Sequence, residues 1–249
     1  MAATLFPDNP DFIKRPPFET DELRRCLTNY LDTPFEFDPS GARPLVGNYR
    51  WGVYAFFDYD DEPIYVGQTN EQLRTRIRRH LTNQRTDAVA MSVLDPFEVH
   101  DIEVWPLPQF QDVDPKKDRT AAMAARLHLD ALERRITAQA ITNSQFKAIL
   151  NEKDPPPGEL TVEVPPSTRG CIVSDRVREI RGHPDFRIAR RALIMSRLAQ
   201  VISERQVKGG LRRVMLTQAK RLEWLAARRF EATGGARTVP QEGDQDGEE

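Results

Sequence analysis

The most informative part of the sequence lies in the first third of the chain. Residues 51–82 read WGVYAFFDYDDEPIYVGQTNEQLRTRIRRHLT. The apolar, β-rich run at residues 51–57 and the short run at residues 64–67 predict two strands. The polar DYDDEP between them is typical of a turn, so the two strands should pair as a hairpin.

A helix is predicted directly after the hairpin, over residues 70–82. Leu73, Ile77 and Leu81 recur at intervals of four, and this spacing places them on one face of the helix. We expect that apolar face to pack against the hairpin. The remaining positions of the helix carry arginines and a histidine.

The neighbouring sequence supplies further elements in a regular order. A third strand is predicted at residues 97–107 and a long alanine-rich helix at residues 119–140. With the hairpin and its helix, these give the order β-β-α-β-α, which indicates a small unit of the α/β (α+β) class. We expect a small, mostly antiparallel sheet flanked by helices, with a mainly helical C-terminal extension. Outside the unit, helices are predicted at residues 20–32, 185–206 and 211–232.

Composition divides the chain into five segments. Residues 154–170 read DPPPGELTVEVPPSTRG, whose prolines interrupt any helix, and they predict a linker with room for a short strand at LTVEV. The final residues are acidic and poor in apolar groups, which is typical of a disordered tail. The expected organisation is an N-terminal arm and helix (1–49), the α/β unit (50–153), the linker (154–170), a basic helical region (171–232) and the acidic tail (233–249).

Composition also excludes several classes of protein. The chain has 249 residues, of which 39% are apolar, so a substantial core is expected. Its two cysteines are too few for a disulfide framework or a four-cysteine zinc site, and they favour a reducing compartment. The sequence has no run of about 18 apolar residues and no secretory signal at its N-terminus. We therefore expect a cytoplasmic protein with no membrane span.

The formal net charge of −2 hides a strong segregation of charge. Residues 170–231 carry 15 basic and 6 acidic groups. A basic block inside a nearly neutral chain indicates a surface for polyanions such as nucleic acid. A solvated, arginine-rich helix face explains the same composition equally well, so composition alone leaves both interpretations open.

Four polar side chains converge if the hairpin and its helix form as predicted. Tyr54 and Tyr65 lie on neighbouring strands, while Arg76 and His80 are four residues apart and project from one helix face. A site that cleaves a phosphodiester needs a group to deprotonate water, a cation to neutralise the developing charge and usually a metal. Glu133, on the long helix, is a candidate ligand for a hard divalent cation. Packing or solvation explains each residue singly, so the prediction rests on their order and spacing.

In order and spacing, these residues resemble the motifs of the GIY-YIG nuclease family. The two tripeptides that name the family are similar to Gly52-Val53-Tyr54 and Tyr65-Val66-Gly67, and its motif helix is similar to Leu73-x2-Arg76-x3-His80. The helix with the family's metal-binding glutamate resembles Leu132-Glu133-x2-Ile136, and a later asparagine motif resembles Leu150-Asn151. The resemblance covers residues 50–153.

Among the departures from the family pattern, an extra residue between Tyr65 and Arg76 and a longer stretch before Glu133 affect spacing, and two others concern site residues. Gln68 stands where the family often has a lysine, which removes one cation from this neighbourhood, and His80 is a candidate to replace it. Eighteen positions separate Glu133 from Asn151, so Asn143 competes with Asn151 for the asparagine motif.

The resemblance implies a metal-dependent endonuclease that hydrolyses DNA phosphodiesters, with Mg²⁺ or Mn²⁺ as the cofactor. It implies that Glu133 holds the cation, that Tyr65 accepts a proton from the attacking water and that Arg76 stabilises the transition state. Tyr54 would position the water or the phosphate, and His80 would favour the phenolate form of Tyr65. Substrate-positioning roles are implied for Gly67, Gln68 and Asn151.

The implied partner is DNA, and the basic helical region is the candidate surface that binds it through phosphate contacts. The candidate contacts are Arg187, Arg190, Arg191, Arg212, Arg213, Arg228 and Arg229. A homodimer is compatible with this interpretation, since subunits with one active site need a partner to cut both strands together. A restriction or phage-defence enzyme is favoured. A repair or structure-specific nuclease and a catalytically inactive nucleic-acid-binding module remain the alternatives, and Asp130 is the alternative metal ligand.

Overall fold

The computed structural model describes residues 16–82 and 93–235. The predicted arm before residue 16, the segment 83–92 and the acidic tail from residue 236 lie outside the described residues. The described elements are α1 (Phe18–Leu31), β1 (Gly52–Phe57), β2 (Pro63–Thr69), α2 (Leu73–Leu81), β3 (Asp101–Pro106), α3 (Arg119–Asn143), β4 (Thr168–Cys171), α4 (Asp175–Arg181), α5 (Pro184–Glu204) and α6 (Gly209–Ala232). None of these helices has both the length and the apolarity needed to cross a membrane.

The four strands form one antiparallel sheet in the order β2-β1-β3-β4. Tyr54 lies on the central strand β1, opposite Gly67 of β2 and Val104 of β3. Because side chains alternate along a strand, Tyr54 and these cross-strand neighbours belong to one face of the sheet. An antiparallel sheet flanked by helices, followed by a helical C-terminal part, confirms the predicted fold class.

Helices cover both faces of the sheet, and each face has its own hydrophobic core. The face of Tyr54 packs against residues of α1, α2, α5 and α6, among them Leu27, Ile77, Ile194 and Val214. The opposite face packs against α3, with Leu129, Leu132 and Ile136 among its buried residues. The C-terminal helices therefore share a core with the hairpin.

The fourth strand lies at the end of the stretch that the sequence predicts to be a linker. β4 pairs with β3, whereas residues 160–164, LTVEV, form no strand. Two arginines of α3 bind the carbonyls of this segment. Arg134 donates to the Leu160 oxygen at 3.1 Å, and Arg135 donates to the Val162 oxygen at 2.8 Å. The prediction of a strand at LTVEV is wrong because side chains, and not a neighbouring strand, satisfy these carbonyls.

A buried ionic network connects the β1–β2 turn to the C-terminal helices. Asp58, which begins the turn, is only 2% exposed. Its Oδ2 accepts hydrogen bonds from Arg187 at 3.1 Å and Arg191 at 2.9 Å, both on α5, and also from Arg221 on α6. Burial alone would raise the pKa of Asp58, but the three guanidinium groups outweigh it and hold that pKa below its usual range. The network fixes the turn against α5 and α6.

Candidate active site

A cleft of about 570 Å³ opens at the β2 edge of the sheet. It lies between β2, α2, α3 and the segment 151–156. Its polar lining includes Tyr65, Gln68, Arg76, His80, Arg126 and Glu133. Residues that are far apart in the sequence thus meet at one surface.

Tyr54 lies behind the cleft wall, and its hydroxyl joins two of the cleft residues. The side chain is fully buried. Its hydroxyl accepts a hydrogen bond from Arg76 Nε at 3.3 Å and lies 3.2 Å from His80 Nε2. Burial, reinforced by Tyr65, raises the pKa of Tyr54, so this phenol keeps its proton and can donate it only toward His80. Tyr54 is therefore suited to orienting other groups and not to acting as a base.

Tyr65 is the phenol that reaches the cleft. It is only partly buried and belongs to the cleft lining. The centroid of its ring lies 6.3 Å from that of Tyr54 and 5.3 Å from that of His80. The pairing of β1 with β2 and the packing of α2 thus place an accessible phenol beside an imidazole.

The arginines of α2 point in different directions, and Arg76 points toward Tyr54. Arg74 pairs with an aspartate just after α1 at 2.5 Å, and Arg78 donates to a threonine of α1 at 2.9 Å. Arg79 pairs with a glutamate in the loop before α2 at 2.7 Å. Arg76 also lines the cleft, so helix geometry separates it from the other arginines in the run.

Glu133 is brought to the cleft by α3, and its carboxylate suits a hard divalent cation. Burial, and then the neighbouring Asp130, raise the pKa of Glu133 to about 7, with Arg126 opposing the shift. A carboxylate with a raised pKa lacks compensating positive charge, and oxygen atoms are the ligands that Mg²⁺ and Mn²⁺ prefer. Gln68, which is close enough to Glu133 to hydrogen-bond with it, also has a buried Oε1 with no partner among the described residues. The residues present therefore fit a magnesium or manganese ion.

Asp130, the alternative ligand, already has partners. Its Oδ1 accepts a hydrogen bond from Gln68 Nε2 at 2.6 Å and lies 3.2 Å from Arg126 Nε. A metal would have to compete with both of these groups for the same oxygen. The geometry therefore favours Glu133 as the ligand. The link from Asp130 to Gln68 depends on α3 packing against β2, and sequence spacing gave no signal for it.

Asn151 and Gly67 affect the cleft in different ways. Asn151 binds the backbone of β2, and Gly67 leaves room for the Tyr54 hydroxyl. Asn151 Oδ1 accepts from Val66 N at 3.1 Å, and its Nδ2 donates to Val66 O at 2.7 Å. Asn143, the competitor, ends α3 and does not line the cleft. At Gly67, a Cβ would lie 2.6 Å from the Tyr54 hydroxyl, so only glycine leaves room for that phenol.

The seven arginines predicted to contact DNA occupy two environments. Arg187 and Arg191 are each 2% exposed and bind Asp58. For these two the prediction is wrong, because buried carboxylates neutralise them inside the fold. The other five reach the surface. Three of them form ion pairs: Arg190 with Asp95, Arg213 with Asp154, and Arg229 with Asp185. Arg228 lies 3.9 Å from Asp60, and Arg212 is exposed.

A different group of metal-type ligands lies at the opposite edge of the sheet. His100, Asp101 and Cys171 each offer one ligand atom, and these atoms lie within 4.8 Å of one another. They meet only because β4 pairs with β3, so no local pattern in the sequence indicates the group. Asp101 is also paired with Arg169 at 2.9 Å. Two strands separate β4 from β2, so this group is not part of the cleft.

Comparison with known families agrees with this geometry. Residues 50–108 match the family model of the GIY-YIG catalytic domain. Both tyrosines, Arg76 and His80 lie inside the matched segment, and Glu133 and Asn151 lie after it. Comparison with curated proteins and with solved structures gave no match. The matched segment shows that the chain contains a GIY-YIG catalytic domain, and the antiparallel sheet with its flanking helices agrees with that domain.

Proposed function

We propose that the protein is a metal-dependent endonuclease that hydrolyses phosphodiester bonds in DNA. The observation that carries this proposal is the meeting of Tyr65, Arg76, His80 and Glu133 at one cleft, although they come from three separate elements. Together they supply an acceptor for the proton of water, a cation for the developing charge and a carboxylate for a metal.

Arg76 would bind the reacting phosphate and stabilise the charge that develops on it. Its Nε donates to the Tyr54 hydroxyl, which fixes the guanidinium at the cleft wall before substrate arrives. A guanidinium presents several donors in a rigid plane, which matches the oxygens of a phosphate. Preorganised donors of this kind need no rearrangement in the transition state.

Tyr65 would accept the proton of the attacking water. A free phenol titrates near pH 10, so it needs nearby positive charge to act as a base at neutral pH. Arg76 supplies part of that charge, and His80 lies against the Tyr65 ring. A cation such as Mg²⁺ or Mn²⁺ held by Glu133 would neutralise charge on the phosphate. The expected products carry 5′-phosphate and 3′-hydroxyl ends.

We also propose a restriction or defence role, with a homodimer cutting both strands. The shared core of α5, α6 and the hairpin is compatible with a stand-alone nuclease of this type. One cleft per chain cuts one strand at a time, so a double-strand break needs two subunits or two successive events.

The test is an end-mapped digest of defined duplex, branched and single-stranded DNA with Mg²⁺ or Mn²⁺. We expect metal-dependent cuts with 5′-phosphate ends and no cutting by the Glu133→Gln variant. Discrete duplex fragments would support a restriction role, and cuts confined to branches would support a structure-specific nuclease instead. Binding without any cutting would contradict the proposal and favour the inactive binding module.

A further inference from the structure

Helix α3 brings a second positive group to the cleft. Arg126 lies seven residues before Glu133, which is two helical turns, so both side chains belong to the same side of α3. Both line the cleft. The Arg126 side chain is 49% exposed, so its guanidinium is accessible from solution.

Asp130 pairs with this guanidinium, and Gln68 in turn binds Asp130. Asp130 Oδ1 lies 3.2 Å from Arg126 Nε, and the same oxygen accepts from Gln68 Nε2 at 2.6 Å. The closest approach of this ion pair is at Nε, while 49% of the Arg126 side chain stays exposed. The side chain is thus oriented while the end that recognises an anion stays available.

Arg76 and Lys153 are further cations of the cleft lining, whereas Arg79 and Arg213 lie outside it and pair with acidic residues that line it. Arg79 pairs with Glu71 at 2.7 Å, and Arg213 pairs with Asp154 at 2.8 Å. Arg76 is bound to the Tyr54 hydroxyl and is the candidate for the reacting phosphate. A DNA strand in the cleft brings further phosphates, and Arg126 is placed to meet one of them.

We infer that Arg126 binds a backbone phosphate next to the one that is cut, and so positions the DNA strand. The inference rests on the proposed function, because it assumes that DNA enters this cleft. Gln68 stands where the family often has a lysine. In this chain Gln68 donates a hydrogen bond to Asp130, and Asp130 forms the ion pair with Arg126. Helix α3 thus adds a cation to the cleft.

The test compares Arg126→Ala with Arg119→Ala, an exposed arginine on the same helix that does not line the cleft. Binding of a defined duplex is measured at several salt concentrations, with both changes made in the Glu133→Gln background so that no DNA is cut. We expect Arg126→Ala to weaken binding about tenfold at low salt and to reduce the slope of log affinity against log salt by about 0.9, the value for one phosphate. Arg119→Ala should change neither by a comparable amount.

Kinetics in the active background separate positioning from catalysis. With Arg126→Ala, we expect KM to rise about as much as the dissociation constant while kcat falls less than about threefold. Arg126→Lys should recover most of the salt slope, because a lysine also neutralises one phosphate. Thermal unfolding of each variant confirms that folding is unchanged.

Two results would overturn the inference. One is a salt slope for Arg126→Ala equal to that of Arg119→Ala, which would leave Arg126 as a surface ion pair of α3. The other is a large loss of kcat with unchanged binding, which would place Arg126 in the chemical step. If the wild-type protein binds DNA but does not cut it, the proposed function fails while the salt slopes still decide the role of Arg126.

Discussion

Replacing Glu133 by glutamine should make the metal-free protein more stable at alkaline pH, although it removes activity. In the folded protein, burial and Asp130 raise the pKa of Glu133 from 4.5 to about 7. A raised pKa means that folding disfavours the charged carboxylate. The contribution of protonated Glu133 to the free energy of unfolding is fully present below about pH 4.5. It is lost as the pH rises through about 7, the pKa of Glu133 in the folded protein. Glutamine has nearly the same shape but carries no charge at any pH, so the variant does not lose this stability.

The size of the effect follows from the shift in pKa. One unit of pKa corresponds to about 1.4 kcal/mol, so the ionised Glu133 costs roughly 3 kcal/mol well above pH 7. For a chain of this length, 1 kcal/mol moves Tm by about 2–4 °C. We therefore expect Glu133→Gln to raise Tm by roughly 6–12 °C at about pH 9, and by almost nothing near pH 4.5.

The assay is thermal unfolding followed by circular dichroism, with EDTA present, across that pH range. The matched control is Glu163→Gln, at an exposed position outside the cleft, which should leave Tm nearly unchanged at every pH. Mg²⁺ or Mn²⁺ at about 1,000 times its Kd should reverse the order at alkaline pH, because it stabilises the wild type by about 4.1 kcal/mol, which exceeds the cost of the ionised carboxylate. A Tm difference that does not depend on pH, or a less stable Glu133→Gln protein at pH 9, would show that ionised Glu133 does not destabilise the fold.

Three further predictions concern other parts of the structure. Arg76→Ala should lower kcat at least about 10²-fold, the scale of losing one charge-stabilising donor, while Arg78→Ala, which faces α1, should have a much smaller effect in the same cleavage assay. Asp58→Asn should destabilise the fold by about 3–5 kcal/mol in chemical denaturation, because it leaves buried arginines without a full counter-charge. Asp185→Asn, which breaks an exposed pair, should have a much smaller effect, and equal losses at the two positions would argue against the network. Gly67→Ala should abolish cleavage, because its Cβ would occupy space beside a buried tyrosine hydroxyl, and full activity would show that the strand can shift to make room.

Local patterns were enough to predict the hairpin and α2. The turn between two apolar runs set the pairing of β1 with β2, and the stripe Leu73, Ile77 and Leu81 became the buried face of α2. These features depend on residues close together in the sequence. The same patterns therefore placed Tyr54 and Tyr65 on adjacent strands.

Features that depend on distant residues could not be predicted in this way. β4 is only four residues long, TRGC, and has no apolar alternation, so its place in the sheet depends on pairing with β3. Arg187 and Arg191 look like surface residues in the sequence, because an arginine is buried only when partners elsewhere neutralise it. Their partner Asp58 lies more than a hundred positions away.

The shared core of the hairpin and the C-terminal helices has a consequence for how such a protein can diversify. A recognition module that is joined by a flexible linker can be exchanged between enzymes as a cassette, without disturbing the catalytic unit. Here Ile194 and Val214 belong to the same apolar cluster as Tyr54, so removing α5 and α6 would uncover the core behind the cleft. We expect new substrate preferences to arise by substitution at the cleft rim and in the loops, and not by domain shuffling.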